Sequence, residues 1–312
     1  MKRMYPPISS QKIAFTYRDR SCQKMLRYSP TPVQEIHDSV FEKAGVRFFM
    51  KREDMNHPFI SGNKWWKLKY NLEEALQQGH DALLTFGGAY SNHIYATAAA
   101  AHELGLKSIG IIRGEETLPL NHTLSFAKSK GMQLHYVSRE SYRTKTEQSY
   151  IQDLRNSLGN FYLIPEGGTN NLAVKGVAEF AQTLGNDFDF LCCAVGTGGT
   201  LAGLVHGLQG KKEIMGVSVL KGDFLQEEVE KMLPEKYSNW KLLADYHFGG
   251  YARTTPELDS FIKSFQSCNN ILLDSIYMGK LVWGIYDLTE KSYFRPGSRV
   301  LVLHSGGLQG LS

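Results

Sequence analysis

"CAVGTGGTLAG", residues 193–203, closes an apolar run, turns through glycines and threonines, and passes at once into residues that suit a helix. The run that feeds it, "DFLCCAVG" (189–196), shows no polar alternation, as a strand covered on both faces should. Such a strand needs helices packed over both sides of its sheet, so this junction predicts an α/β fold. The turn itself also carries chemistry. Amides of Gly196, Thr197, Gly198, Gly199 and Thr200 can curl around an anion, the helix start adds partial positive charge, and the two threonines add hydroxyl donors. A dinucleotide fingerprint is excluded because Leu201 stands where the third glycine belongs, and no Gly-Lys-Ser/Thr offers a nucleoside triphosphate site. The expectation is a phosphate cradle; a glycine turn shaped only by packing is the alternative.

Outward from this junction the same alternation continues. Strands are expected at 46–54, 82–88, 107–114, 132–138, 161–168, 189–196, 214–220 and 299–304. Helices are expected at 62–79, 91–105, 121–130, 144–158, 171–185, 199–209, 256–267 and 278–292, with an irregular segment between 220 and 256. This pattern predicts open parallel sheets. Ligands of such sheets bind at the carboxyl ends of the strands, where the glycine turns 87–88, 167–168, 196–199 and 306–307 fall. Several such turns along one chain suggest a single site assembled from two lobes. Neither an internal repeat nor a low-complexity linker divides the chain.

Composition narrows the function classes. The 312 residues are 42% hydrophobic and 21% charged with a net charge of +4, an ordinary globular balance. Lys211-Lys212 and Lys67/Lys69 read as solvated faces, so no nucleic-acid partner is expected. No apolar stretch has the length of a membrane span, and "MKRMYPPISSQK" lacks the apolar core of a signal peptide. Of the four cysteines, Cys22, Cys192, Cys193 and Cys268, the adjacent Cys192 and Cys193 show no metal-ligand spacing and read as small buried apolar residues of a reducing compartment. A cytoplasmic protein without a metal is expected.

Two further stretches bear on the site. In "FISGNKWWKLKYN" (59–71), Ser61 and Asn63 are residues that cap helices, and Lys64 falls in the first turn, at the positive end of the macrodipole. That position should lower the pKa of an amine meant as a nucleophile; a capped surface helix with a stray lysine is the other reading. Trp65 and Trp66 read as helix core and rim. In "TFGGAYSNHIYATAAAA" (85–101), Ser91, Asn92 and His93 begin a helix whose amides can hold a carboxylate or phenolate oxygen. Capping alone explains Ser91 equally well, and His93 taken alone reads as a structural histidine. A phosphate cradle, a lysine at a loop–helix junction and a Ser-Asn anion site together suggest pyridoxal 5′-phosphate.

In the order "KRED…SGNKWWKL", "TFGGAYSNH", "PEGGTN", "AVGTGGTLAG", "YMGK", "LHSGG", the chain resembles the fold type II (tryptophan-synthase-β-like) pyridoxal-phosphate enzymes. Within these it is most similar to the 1-aminocyclopropane-1-carboxylate deaminase and D-cysteine desulfhydrase family, over nearly its whole length. The resemblance implies a large cofactor-binding domain of residues 1–66 and 161–312, a small domain of 67–160, a cofactor between them, and a homodimer. It makes Lys64 the Schiff-base lysine, sets Asn92 on the cofactor's 3-oxygen, and gives Ser91 and Asn92, with His93 and Tyr90 beside them, to the substrate carboxylate. Gly196 through Thr200 would hold the phosphate, Tyr277 would stand near the substrate, and Ser305 would face the pyridine nitrogen. A hydroxyl there makes the ring a weaker electron sink than an aspartate does, which favours β-elimination over transamination.

Three departures from the family bear on substrate. The deaminases carry a tyrosine and an acidic neighbour on the last strand, where this chain has Val302 and Leu303, which puts ring opening in doubt. Tyr90 replaces a usual glutamine, and Ser312 follows so soon after "SGGLQG" that a longer family tail is expected to be missing. Glu166 is a local acid or a turn-stabilising carboxylate, and Tyr251 a loose candidate contact. The expected activity is α,β-elimination from a small amino acid, D-cysteine first. The rivals are ring-opening deamination, elimination or replacement on L-serine derivatives, and a non-catalytic pyridoxal-phosphate carrier or sensor.

Overall fold

The computed structural model describes residues 26–310, so Cys22 and the reading of the N-terminal stretch lie outside the described residues. The chain enters through β1 (Val33–Ile36), α1 (Ser39–Ala44) and β2 (Arg47–Lys51), then α2 (Asn63–Gln77). It continues as β3 (Ala82–Gly88), α3 (Asn92–Leu104), β4 (Lys107–Arg113), α4 (His122–Ser129), β5 (Met132–Val137), α5 (Arg139–Arg143), α6 (Gln148–Leu158) and β6 (Tyr162–Ile164). After α7 (Asn171–Gln182) come β7 (Phe190–Val195), α8 (Gly199–Leu208), β8 (Glu213–Ser218), α9 (Phe224–Met232) and β9 (Trp240–Leu243). The last elements are α10 (Pro256–Asn269), α11 (Met278–Glu290) and β10 (Arg299–Leu303).

These strands form two sheets, a six-stranded one ordered β1-β2-β10-β7-β8-β9 and a four-stranded one ordered β5-β4-β3-β6. Every pairing is parallel except β1 with β2. The fold class is therefore α/β, as the sequence indicates. The apolar run at 190–195 is an interior strand between β10 and β8, with Leu191, Cys192 and Cys193 fully buried. Val302 and Leu303 lie buried in β10, where Val302 pairs with Met50 on one side and Cys192 on the other.

The structure departs from the sequence reading in several places. The segment between 220 and 256 is not wholly irregular, since it holds α9 and β9. The helix expected at 144–158 begins only at Gln148, as α6, a further short helix, α5, stands before it, and an antiparallel edge strand precedes β2. The four-stranded sheet takes its last strand from Tyr162–Ile164, and α2 runs continuously across residues 66 and 67. Cys192 and Cys193, by contrast, are buried as expected. Lys67 and Lys69 do not form a solvated face: Lys67 is 2% exposed, and Lys69 pairs with Glu179 at 2.7 Å. Among the described residues, no helix is long and apolar enough to cross a membrane.

One hydrophobic cluster ties the two sheets together. It joins Leu68 and Leu72 of α2, Leu83 of β3 and Ala96, Ala99 and Ala100 of α3 to Val177 of α7, Leu204 of α8 and Leu191 of β7. Small residues allow the helices to meet closely. A Cβ on Gly176 of α7 would lie 2.1 Å from the carbonyl oxygen of Trp66 in α2. That contact fixes the helix that presents Lys64.

Candidate active site

The approach to Lys64 is built from the buried carboxylate of Glu53. It accepts from the Tyr28 hydroxyl (3.1 Å), the Asn56 amide (3.0 Å), the Trp66 indole (2.8 Å) and the Thr31 hydroxyl. Asn56 in turn brackets Gly62, its Oδ1 accepting from Gly62 N (2.9 Å) and its Nδ2 donating to Gly62 O (3.0 Å). Gly62 takes φ +68°, and a Cβ there would fall 1.8 Å from the carbonyl oxygen of Ser305, so only glycine lets these two segments touch. Neither Ser61 nor Asn63 caps α2, contrary to the sequence reading; the helix starts at Gly62 without a side-chain cap. Asn63 does something else: its Nδ2 donates to Thr200 Oγ1 (2.8 Å) and its Oδ1 accepts from Lys64 Nζ (2.9 Å). Asn63 thereby links the lysine to Thr200 of the glycine turn, which lies 137 residues beyond Asn63 in the chain. Burial lowers the Lys64 ammonium to about 8, and the negative charge of Asp274 opposes that shift.

The glycine turn stands between β7 and α8 as expected, with Gly198 at φ +82° where the helix begins. Lys67, which the sequence reading assigned to solvent, reaches it. Its ammonium donates to Thr169 Oγ1 (2.8 Å) and at longer range to Thr197 Oγ1 (3.5 Å), and the two threonine hydroxyls are 2.6 Å apart. Thr169 belongs to "PEGGTN", whose turn folds against the cradle: a Cβ on Gly199 would meet the Thr169 methyl at 2.9 Å. Burial and the nearby charge of Lys64 hold Lys67 well below the usual lysine pKa. Two buried ammoniums that weaken each other, beside free amides and hydroxyls, form a charge-deficient pocket. A phosphate ester fits that pocket, since its negative charge would relieve both lysines.

The start of α3 faces the same region. Ser91 caps the helix, accepting from His93 N (3.2 Å) and Ile94 N (3.3 Å), which uses its lone pairs and leaves its hydrogen to donate. Asn92 accepts from the Gln309 amide, and the chain at Gly307 passes so close that a Cβ there would lie 2.3 Å from Asn92 Nδ2. The side chain of His93 turns inward to Thr85. Thr85 donates its one hydrogen to Ile164 O (2.8 Å), so His93 Nε2 must be the donor to Thr85 Oγ1 (2.8 Å). Its Nδ1 is then a bare acceptor, buried and without a partner among the described residues, and burial with the two lysine charges keeps the ring neutral. Tyr90 stands at the surface, 66% exposed, on the turn before the helix.

The six-stranded sheet contributes the opposite wall. Asp274 accepts from the amides of Ile276 (2.9 Å), Tyr277 (2.7 Å) and Met278 (3.1 Å), fixing the start of α11. The Tyr277 ring covers Gly196, where a Cβ would come within 3.2 Å of it, and burial first of all pushes its phenol far above the ordinary tyrosine pKa. Ser305 follows β10, with its carbonyl accepting from Asn63 N (3.2 Å) and its hydroxyl 3.7 Å from the Met278 sulfur. His304 braces that turn, its Nδ1 accepting from Gly306 N (3.3 Å) and its Nε2 bonding Leu272 O (2.8 Å). Glu166 pairs with Lys145 at 3.3 Å. The structure thus joins Lys64 to Thr200 through Asn63, Tyr277 to Gly196, and Asn92 to the segment after Ser305. A separate cavity of about 570 Å³, lined by Tyr70, Lys175 and His206, contains none of these groups.

Comparison with known proteins agrees with this chemistry. A family profile described as pyridoxal-phosphate dependent enzyme matches residues 25–306. A candidate 1-aminocyclopropane-1-carboxylate deaminase of Pyrococcus abyssi is 33% identical over 300 residues, covering 90% of each chain. The mitochondrial bifunctional D-cysteine desulfhydrase/1-aminocyclopropane-1-carboxylate deaminase of Arabidopsis thaliana is 30% identical over 92% of this chain and 78% of its own length. The crystal structure of an ACC deaminase homologue superposes with a TM-score of 0.79 at 29% identity, covering 92% of this chain and 93% of the other. The chain belongs to the pyridoxal-phosphate dependent enzymes of fold type II, in the family of 1-aminocyclopropane-1-carboxylate deaminases and D-cysteine desulfhydrases.

Proposed function

We propose that the protein catalyses α,β-elimination from a small amino acid, with D-cysteine the leading substrate: D-cysteine and water give pyruvate, ammonia and hydrogen sulfide. The observation that carries this reading is the end of β10, where Val302 and Leu303 are buried aliphatic residues and the first polar side chain to follow His304 is the hydroxyl of Ser305. Ring-opening deaminases of the family place a tyrosine on this strand; here no phenol is available from it. The bifunctional Arabidopsis relative supports desulfhydrase chemistry in this family.

Pyridoxal phosphate, when bound, supplies a carbonyl carbon for amines and a conjugated ring that spreads negative charge from the substrate's α-carbon. The side chains have separable tasks. Lys67, Thr197, Thr200 and the amides of Gly196, Gly198 and Gly199 would hold the phosphate, Asn92 the 3-oxygen, and Ser305 the ring nitrogen. Ser91 would donate to the substrate carboxylate at the start of α3, where the positive end of the helix dipole adds to the field. Lys64, near 8 and so easily deprotonated, would remove the α-proton. Tyr277 stays protonated and keeps a hydrogen to donate, which suits a hydrogen bond to the departing sulfur. In this reading the six-stranded sheet forms the cofactor lobe and the four-stranded sheet the smaller lobe of a cytoplasmic homodimer.

The test is sulfide and pyruvate release from D-cysteine with added cofactor, with Lys64→Ala as control. Equal release by the wild type and none by the variant are expected. A coloured, cofactor-bearing protein that releases no sulfide would overturn D-cysteine as substrate. Release of 2-oxobutyrate from 1-aminocyclopropane-1-carboxylate would restore the deaminase, and failure to exchange any α-proton in heavy water would point to a carrier.

A further inference from the structure

Lys280 is a buried lysine to which the reaction above gives no task. None of its surface is exposed, and its ammonium donates to two backbone carbonyls, His247 O at 2.9 Å and Gly250 O at 2.8 Å. Both carbonyls belong to an irregular turn, residues 247–252, in which Phe248 (φ +52°) and Ala252 (φ +54°) adopt left-handed backbone beside Gly249 and Gly250. Non-glycine residues keep that conformation only where their surroundings compensate for it. The turn's own bonds are few, Gly249 N to His247 Nδ1 (2.9 Å), Gly250 N to His247 O (3.0 Å) and Arg253 N to Gly250 O (3.2 Å), and α11 supplies further support. There the Lys280 ammonium grips its carbonyls, and the Phe248 ring packs edge-on against Trp283 at 5.5 Å. Buried charge donated to carbonyls makes a stronger clamp than a neutral hydrogen bond would.

The turn carries Tyr251. Its ring is 6.1 Å from that of Tyr277, edge to face, and the two phenols act on each other electrostatically. Tyr277 and Lys280 are three residues apart on α11, one turn along the same face. Arg113, at the end of β4, and Glu166, after β6, act on the Tyr251 phenol from the side of the other sheet. Tyr251 therefore stands at the mouth between the two sheets, 40% exposed, next to the ring that covers the phosphate cradle.

We propose that Lys280 is a positioning residue that clamps the 247–252 turn to α11, so that Tyr251 joins Tyr277 as the wall of the site against the substrate's side chain. The assignment of that wall to substrate rests on the function proposed above; the clamp itself does not. Two measurements separate them. In the protein without substrate, Lys280→Met should speed chymotryptic cleavage at Phe248 and Tyr251 on the order of 10-fold, the scale of losing one or two charge-assisted bonds, with unchanged circular dichroism. Unchanged cleavage would overturn the clamp whatever the substrate is. In the holoenzyme, Lys280→Met and Tyr251→Ala should each raise KM for D-cysteine by about 10-fold with a smaller change in kcat and an unaltered cofactor band, and the double variant should be no worse than either. Effects that add in the double variant would mean that Lys280 does not act through Tyr251. Should Lys280→Met fail to fold, Tyr251→Ala removes only a half-exposed ring, and an unchanged KM in that variant overturns the wall.

Discussion

In its proposed role Lys64 must attack a carbonyl carbon, which requires the neutral amine, and its setting at the start of α2 favours that form. Burial disfavours its charged form and lowers it from 10.5 to about 8, with Asp274 pulling the other way. Below this value the side chain is an ammonium and cannot attach to an aldehyde; above it the free amine predominates. The rate of cofactor attachment to the apo protein is therefore expected to rise with pH through an inflection near 8, read by stopped-flow absorbance across the alkaline range. An inflection near that of a free lysine would show that Lys64 is solvated and would remove the basis for its role. At this scale the sequence was partly legible. Lys64, Ser91, Asn92 and the glycine turn are marked by local spacing, since a helix start or a turn is written in adjacent residues. Lys67 was not legible, because its burial depends on Thr169, which lies 102 residues further along. The bare nitrogen of His93 likewise follows from Thr85 and Ile164 rather than from its own neighbours.

Helix packing decides how firmly such residues are held. α2 lies against α7 at Gly176, and the backbone carbonyl of Trp66 occupies the place of a side chain. Gly176→Ala must push α2 away, and because the clash is with backbone no rotamer change relieves it. A loss of about 1–3 kcal/mol is expected from the urea midpoint, together with a shifted cofactor band, since Lys64 opens the same helix. A variant as stable as the wild type with an unchanged band would show that α2 is not set by this contact. Elements were legible where one-dimensional pattern suffices. β3, β7 and β10 are apolar runs inside their sheets, and α3 and α8 follow glycine turns directly. β1 and β9 were missed because four residues at a sheet edge, with little burial of their own, give almost no signal. α9 does carry a helical pattern in Leu225 and Val229, its two buried residues, but they pack on the cluster around α8 and are flanked by charge.

Over the whole molecule, the site is made by bringing together segments that are remote in sequence, and that has a thermodynamic consequence. The proposed phosphate side of the site draws on Lys67 of α2, Thr169 before α7 and Thr197 before α8, while Asn92 of α3 is held by Gln309, 217 residues further along. One hydrophobic cluster runs through α2, α3, α7 and α8, so loss of either sheet exposes part of a shared core. A ligand seated among these elements should stabilise all of them together, and thermal unfolding should show one transition that moves as a unit. With pyridoxal phosphate at a hundred times its dissociation constant, linkage gives about 2.7 kcal/mol. At about 2 °C per kcal/mol for a chain of this size, that is a rise in Tm of about 5 °C. Pyridoxal, which lacks the phosphate, should give far less. Lys67→Met should lose most of the rise at the same ligand concentration, because it removes the buried cation beside Thr169 and Thr197. An equal rise with pyridoxal, or in the Lys67 variant, would mean that the glycine turn and its lysine do not bind phosphate. Two separate transitions, with only one displaced by the ligand, would show instead that the shared cluster does not couple the sheets.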